Sequence, residues 1–173
     1  MPDLEVLENP KTNLASEVIS SDGKTLGKYY FNDNRTPVTF DELPKHLVDA
    51  LIATEDIRFY SHSGIDFKRT FGAALKLGKD GGGSTITQQL AKLLFTGEGS
   101  RDILERLTQK FKEYIIAVRL ERHYTKDEII TQYLNLYDFG NNGDGIRSAA
   151  RIYFGKEPID LDINESAILV GML

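Results

Sequence analysis

The spacing of apolar positions divides the chain into a short strand-like stretch and a long helical one. Between residues 15 and 38 the apolar residues come in brief runs, Val18-Ile19, Leu26 and Tyr29-Tyr30-Phe31, with Asp22-Gly23 between the first two. Asp-Gly between apolar runs predicts a β-hairpin. After Pro37 the period becomes three to four residues. Leu47, Ala50, Leu51 and Thr54 predict a first helix over 44–60. An amphipathic stretch from Phe67 to Leu77 is broken by Gly81-Gly82-Gly83. Thr85-Ile86-Thr87-Gln88 then fits a capping box, so a helix starts at Ser84 or Thr85. Its apolar contacts are Ile86, Leu90, Leu93 and Leu94, and Thr85, Gln88, Gln89 and Lys92 share another face. Residues 97–101 read as a mobile loop before a long helix over 102–123.

A second capping box, Thr125-Lys126-Asp127-Glu128, opens a helix whose Ile129, Ile130, Tyr133 and Leu134 mark it as a core element. Tyr133 and Asn135 therefore read as structural. Residues 140–145 form a loop too poor in carboxylates for an EF-hand. Ala149-Ala150 and Tyr153-Phe154, stopped by Gly155, predict close helix packing. Asp162-Ile163-Asn164-Glu165 starts a last helix whose apolar residues run to Leu173, so the chain reads as a piece of a longer protein. The boundaries that follow are a linker over 1–13, a hairpin segment over 14–38 and a main domain over 39–173.

Composition narrows the class. A chain of 173 residues can bury a core of its own. An apolar share of 40% with 27% charged residues is that of a globular protein. A net charge of −5 argues against a general nucleic-acid binder. Without cysteine there is neither a disulfide framework nor thiolate chemistry, and His46, His62 and His123 are too scattered for a zinc cluster. No apolar run approaches the roughly 18 residues of a membrane span.

Two stretches carry the candidate chemistry: Glu55 to Asp66, and Gly82 to Lys92. Glu55 lies four residues after Leu51, at the edge of the apolar stripe. It is either a surface glutamate near a helix end or a partly desolvated carboxylate suited to general-base work. Glycines before a helix expose backbone N–H groups that can receive an anion; with Lys92 on the polar face, phosphate or pyrophosphate is a fair ligand class. Glu113 lines up with Ile116, Ala117 and Leu120, with Lys110 one turn before it. That pair is either an ion pair holding the helix or a second functional carboxylate.

Five blocks in order carry a family resemblance: Glu55-Asp56-x-x-Phe59-x-x-His62-x-Gly64-x-Asp66; Gly83-Ser84-Thr85-x-x-Gln88-Gln89-x-x-Lys92; Lys110-x-x-Glu113; Lys126-x-Glu128-Ile129-x-x-Tyr133-Leu134-Asn135; and Gly145-Ile146-x-x-Ala149-Ala150-x-x-Tyr153-Phe154-Gly155-Lys156. Over about residues 37–173 the chain resembles the peptidoglycan glycosyltransferase domain of class A penicillin-binding proteins and monofunctional transglycosylases. The resemblance implies a mainly α, lysozyme-like fold with a short N-terminal β-hairpin and a smaller membrane-facing lobe. It implies polymerisation of lipid II into β-1,4 glycan, with inversion and release of undecaprenyl pyrophosphate. Glu55 matches the general base and Glu113 the second glutamate, which assists pyrophosphate departure directly or through a divalent metal (Mg or Mn). Lys92 matches a cation that neutralises the pyrophosphate. Asp56, Phe59, His62, Ser84, Thr85, Gln88, Gln89 and Lys110 match residues of the substrate cleft. Where the family has an Arg-Lys pair, this chain has Gln109-Lys110; Arg106 and Lys112 are the nearest other cations. Arg101 or Arg106 is left to stand for the family's arginine in the preceding segment.

The implied partners are lipid II, the growing lipid-linked strand and a membrane surface, which the Phe67–Leu77 stretch would suit; nucleic acid is not among them. The implied location is the outer face of a bacterial cell membrane, this chain being a soluble fragment of a parent that carries a transpeptidase domain. The competing readings are a lysozyme-like hydrolase or lytic transglycosylase, which would not need the cationic block from Ser84 to Lys92, and an inactive cell-wall-binding module.

Overall fold

The computed structural model describes residues 16–29, 35–70, 83–97 and 102–173. The linker over 1–13, Tyr30 and Phe31, residues 71–77 of the amphipathic stretch, Gly81, Gly82 and Arg101 lie outside them, as does most of the loop over 97–101. The described residues are mainly helical, with one two-stranded sheet. Strands β1 (Ser16–Ile19) and β2 (Thr25–Tyr29) pair antiparallel, with a bulge between Val18 and Ile19. Six α-helices have both ends among the described residues: α1 (Lys45–Glu55), α2 (Ile86–Ala91), α3 (Ile103–His123), α4 (Lys126–Leu136), α5 (Ile146–Phe154) and α6 (Ile163–Val170); residues 67–70 are helical as well. The described residues form two compact units, one from the ranges 16–50 and 134–173 and one from the range 51–133.

In the first unit the Asp22-Gly23 turn closes the hairpin as predicted, the Gly23 N–H reaching the Ser20 carbonyl at 2.9 Å. Val38 is pinned at both ends by one side chain. Its N–H donates to Asn135 Oδ1 at 2.9 Å, and Asn135 Nδ2 donates to its carbonyl at 2.9 Å. Asn135 is thus structural, as its pattern predicts. Gly145 begins α5 at φ +79°, where an added Cβ would lie 2.6 Å from the Asn135 carbonyl oxygen. Gly155 caps α5 in the left-handed region. Asp162 and Glu165 form a capping box on α6, which ends at Val170 rather than running to Leu173.

The second unit holds a core built on Leu51, Phe59, Ile86, Leu120, Ile130 and Tyr133, all essentially without solvent contact. The Thr125–Glu128 capping box is formed, with the Thr125 N–H on Glu128 Oε2 at 2.7 Å. Helix α1 ends at Glu55, five residues before the predicted end at Tyr60. The reason is tertiary: Asp56 turns its carboxylate to other partners and Phe59 enters the core inside a 3-10 turn, Phe59–Ser61. That early stop leaves Glu55 as the last helical residue. After α2 the chain continues as a π-helical turn, Lys92–Thr96, closed by Gly97 at φ +59° with its N–H on the Lys92 carbonyl at 3.0 Å.

Candidate active site

Every residue of the two candidate stretches that is described lies within the second unit. Glu55, half-buried at the end of α1, accepts a hydrogen bond from Gln89 Nε2 on α2 at 2.6 Å. The other end of that amide, Oε1, accepts from the Tyr133 hydroxyl on α4 at 2.9 Å. The Arg69 guanidinium donates to the Glu55 carbonyl, placing a cation where the helix dipole favours one.

Asp56 faces the opposite way and is 1% exposed. Its carboxylate accepts the Ile86 N–H at 3.2 Å, at the first turn of α2, and lies 3.0 Å from His62 Nε2. A carboxylate is favoured at a helix N-terminus. Thr85 caps the same helix: its hydroxyl accepts the Gln88 N–H at 3.1 Å and donates to the Gly64 carbonyl at 2.7 Å. Gln88 completes the predicted capping box and donates from Nε2 to the Gly64 carbonyl at 3.3 Å. Below it, Lys126 Nζ sits 4.2 Å from the centre of the Phe59 ring, donates to the His62 carbonyl at 2.8 Å and pairs with Glu121 at 2.7 Å. Glu121 also accepts the Thr87 hydroxyl at 2.6 Å.

Asp56, Phe59, Thr85 and Gln88 are buried, the His62 side chain is only 8% exposed, and the polar atoms named above are spent on protein partners. Their bonds join the 56–66 segment to the start of α2. The shared face of Thr85, Gln88, Gln89 and Lys92 runs from fully buried at Thr85 to exposed at Lys92. The helix start is sunk in the core, where only paired polar groups are tolerated.

Asp66 anchors the segment between. Arg58 grips it with two bonds, Nε to Oδ2 at 2.7 Å and NH2 to Oδ1 at 2.8 Å, and the Arg69 N–H adds a third at 3.0 Å. Burial pushes this carboxyl up, but the Arg69 N–H and the Arg58 guanidinium outweigh it and hold it below the ordinary aspartate value. A depressed folded value stabilises the fold above the unfolded value and is lost as pH falls through the folded one. Denaturant melts at pH about 7 and about 3 should therefore show a smaller acid loss in Asp66→Asn than in the parent. Equal acid losses would remove Asp66 as a contributor.

The second carboxylate is on α3. Glu113 has a side chain 5% exposed, and Lys110 Nζ donates to its Oε2 at 2.7 Å and to Ser84 Oγ at 2.8 Å. Arg106, exposed, stands one turn before Lys110 on the same line of the helix. The segment from Ser84 through α2 therefore ties both carboxylates: Glu55 through Gln89, and Glu113 through Lys110 at Ser84. Among the described residues no group of three or more His, Asp or Glu stands together to hold a metal. Glu113 already has an ammonium on one oxygen, so the donor set here is one carboxylate with a cation. Lys110→Met takes that cation from a buried carboxylate and should lower unfolding stability by about 1–3 kcal/mol, read by urea melts. A loss below the error of the melt would mean that Glu113 does not depend on Lys110.

Tyr133 and Arg69 are the residues of this arrangement that sequence reasoning missed. The Tyr133 hydroxyl was legible only as a polar atom on a core stripe, which always requires a partner when buried.

Known proteins bear on this geometry directly. The family profile described as Transglycosylase matches residues 22–173. Penicillin-binding protein 1F of Bacillus subtilis (strain 168) is 42% identical over 91% of this chain and 22% of its own length. Penicillin-binding protein 1A of Escherichia coli (strain K12) is 40% identical over 99% of this chain and 20% of its own. Penicillin-binding protein 1A of Aquifex aeolicus (strain VF5) is 38% identical, again over 99% of this chain and 23% of its own. The chain thus spans about a fifth of the length of these relatives. With nearly all its length matched, and its two carboxylates tied to the one helix, the chain belongs to the transglycosylase family, the lysozyme-like peptidoglycan glycosyltransferase domain of class A penicillin-binding proteins.

Proposed function

We propose that this domain polymerises lipid II into β-1,4 glycan by inverting transfer, with undecaprenyl pyrophosphate as leaving group. The observation that carries the reading is the pair of carboxylates tied to the segment from Ser84 through α2, Glu55 bonded by Gln89 and Glu113 joined to Lys110. Inverting transfer needs a base on one face of the donor sugar and charge neutralisation on the other, as in inverting glycosidases with a sugar hydroxyl in place of water. Glu55 takes the proton of the acceptor 4-hydroxyl as that oxygen attacks the donor anomeric carbon. The bond from that carbon to the pyrophosphate oxygen breaks, and its electron pair leaves with the pyrophosphate. Lys110, Arg106 and Lys92 supply positive charge for it, and Glu113 holds Lys110 in place. No step is routed through a metal, because an ammonium already stands at Glu113.

A lipid-linked substrate fits an apolar surface on the same unit. Leu104, Leu107, Phe111 and Ile115 form an exposed stripe along α3, and Phe67 is 76% exposed. We read this as contact with the outer face of a bacterial cell membrane; no helix among the described residues is long and apolar enough to cross one. The relatives' greater length supports a transpeptidase domain in the parent protein.

The test is incubation with labelled lipid II, followed by gel separation of the products. Polymer that requires lipid II supports the reading. Cleavage of preformed glycan without polymerisation would replace it with the hydrolase reading.

A further inference from the structure

Tyr133 fills the core of the second unit and has no solvent contact. A ring would suffice for packing, yet its hydroxyl donates to Gln89 Oε1 at 2.9 Å while the same amide donates from Nε2 to Glu55 Oε2 at 2.6 Å. The end of α1, α2 and α4 thus meet in one hydrogen-bonded file. The file has a direction. An ionised carboxylate only accepts, so the amide presents its nitrogen to Glu55. Its oxygen then points inward and requires a donor, and Tyr133 supplies one. A protonated Glu55 could still accept from Nε2 on its carbonyl oxygen, but a bond to the charged carboxylate is the stronger one.

We infer that Tyr133 is a positioning residue for the base: through Gln89 it holds the Glu55 carboxylate in one orientation. The inference rests on the reading of Glu55 as the general base. Donors in series also polarise one another, so the last bond of the file is strengthened by the first. Other charged groups surround Glu55. Arg69 binds its backbone carbonyl, Asp56 follows it in the chain with His62 at its carboxylate, and Lys92 lies one turn past Gln89 on α2. On α3 Glu113 is met by Lys110, and on α4 Lys126 is paired with Glu121. A displacement shared by Tyr133→Phe and Gln89→Met, the two members of the file, and absent from a neighbouring variant of the same helix reports the file.

The experiment is lipid II polymerisation by the full-length protein across about pH 5–9, with Tyr133→Phe, Gln89→Met and Thr87→Val. Removing a bond that favours the ionised form moves the acid limb of kcat/KM upward, here by about half to one pH unit. Tyr133→Phe and Gln89→Met should both show that displacement, with kcat reduced more than KM is raised. Thr87→Val removes a buried hydroxyl bond from the same helix that leads to Glu121, not to Glu55. It should melt earlier with its acid limb in place. An acid limb in Tyr133→Phe and Gln89→Met that coincides with the parent's would overturn the inference, as would an equal displacement in Thr87→Val. Glu55→Gln run in parallel separates the two ideas: polymerisation that survives it removes the base reading itself, wherever the limbs lie.

Discussion

Glutamine in place of Glu55 should cut lipid II polymerisation by about 10²–10⁴-fold, the usual worth of a positioned general base. The substitution keeps the shape of the side chain and removes only its capacity to take a proton. Its amide oxygen can still accept from Gln89 Nε2, so the fold should melt within about 0.5 kcal/mol of the parent. The comparison is therefore between two folded proteins that differ at the reacting atom. Single-turnover formation of polymer on gels, with a thermal melt beside it, checks both halves. A variant that retains more than about a tenth of the parent rate cannot have lost its base, and another group would have to be sought.

The second large effect is expected far from any reacting atom. Gly64 stands at φ +90°, and an added Cβ would lie 2.8 Å from the carbonyl carbon and oxygen of Ala117 and 2.9 Å from the Val118 nitrogen. These are backbone atoms in the middle of α3, with no side-chain end to swing aside. Strain at positive φ adds to the collision, and together they should cost about 2–5 kcal/mol in Gly64→Ala. The effect should reach activity as well, because the Gly64 carbonyl receives both the Thr85 hydroxyl and Gln88 Nε2. Pushing it away loosens the start of α2, three residues from the Gln89 amide that grips Glu55. Gly27→Ala is the control, in an exposed strand with nothing within 4 Å of its added Cβ. Urea melts of the two variants should differ by most of the predicted loss; Gly64→Ala within about 1 kcal/mol of the parent would mean that the approach of the 64 loop to α3 is not rigid.

Local signals were read well and long-range ones were not. The Asp22-Gly23 turn, the capping boxes at Thr85 and Thr125, the helix start at Asp162 and the Gly155 stop all depend on groups within about four residues of one another. The line of Glu113 with Ile116, Ala117 and Leu120 is helical arithmetic, and all four are buried. Lys110 against Glu113 follows from the same spacing. The end of α1 was misread because Asp56 leaves the helix for partners on α2 and in the following segment, and no local rule marks that choice.

The sequence by itself determined the order and type of the elements, which residues cap them, and which two carboxylates lie on apolar stripes. Those properties come from period and from bonds inside one turn. Only the tertiary structure decided which polar groups of the motif blocks are buried and what each of them bonds to. It buried Asp56, Thr85 and Gln88 as supports, left Arg106 and Lys92 outside, and set Gln89 between Glu55 and Tyr133 across sequence separations of 34 and 44 residues. At such distances along the chain no spacing rule operates. Which hydroxyl meets which amide follows from how three helices pack, and that packing is where the base acquires its surroundings.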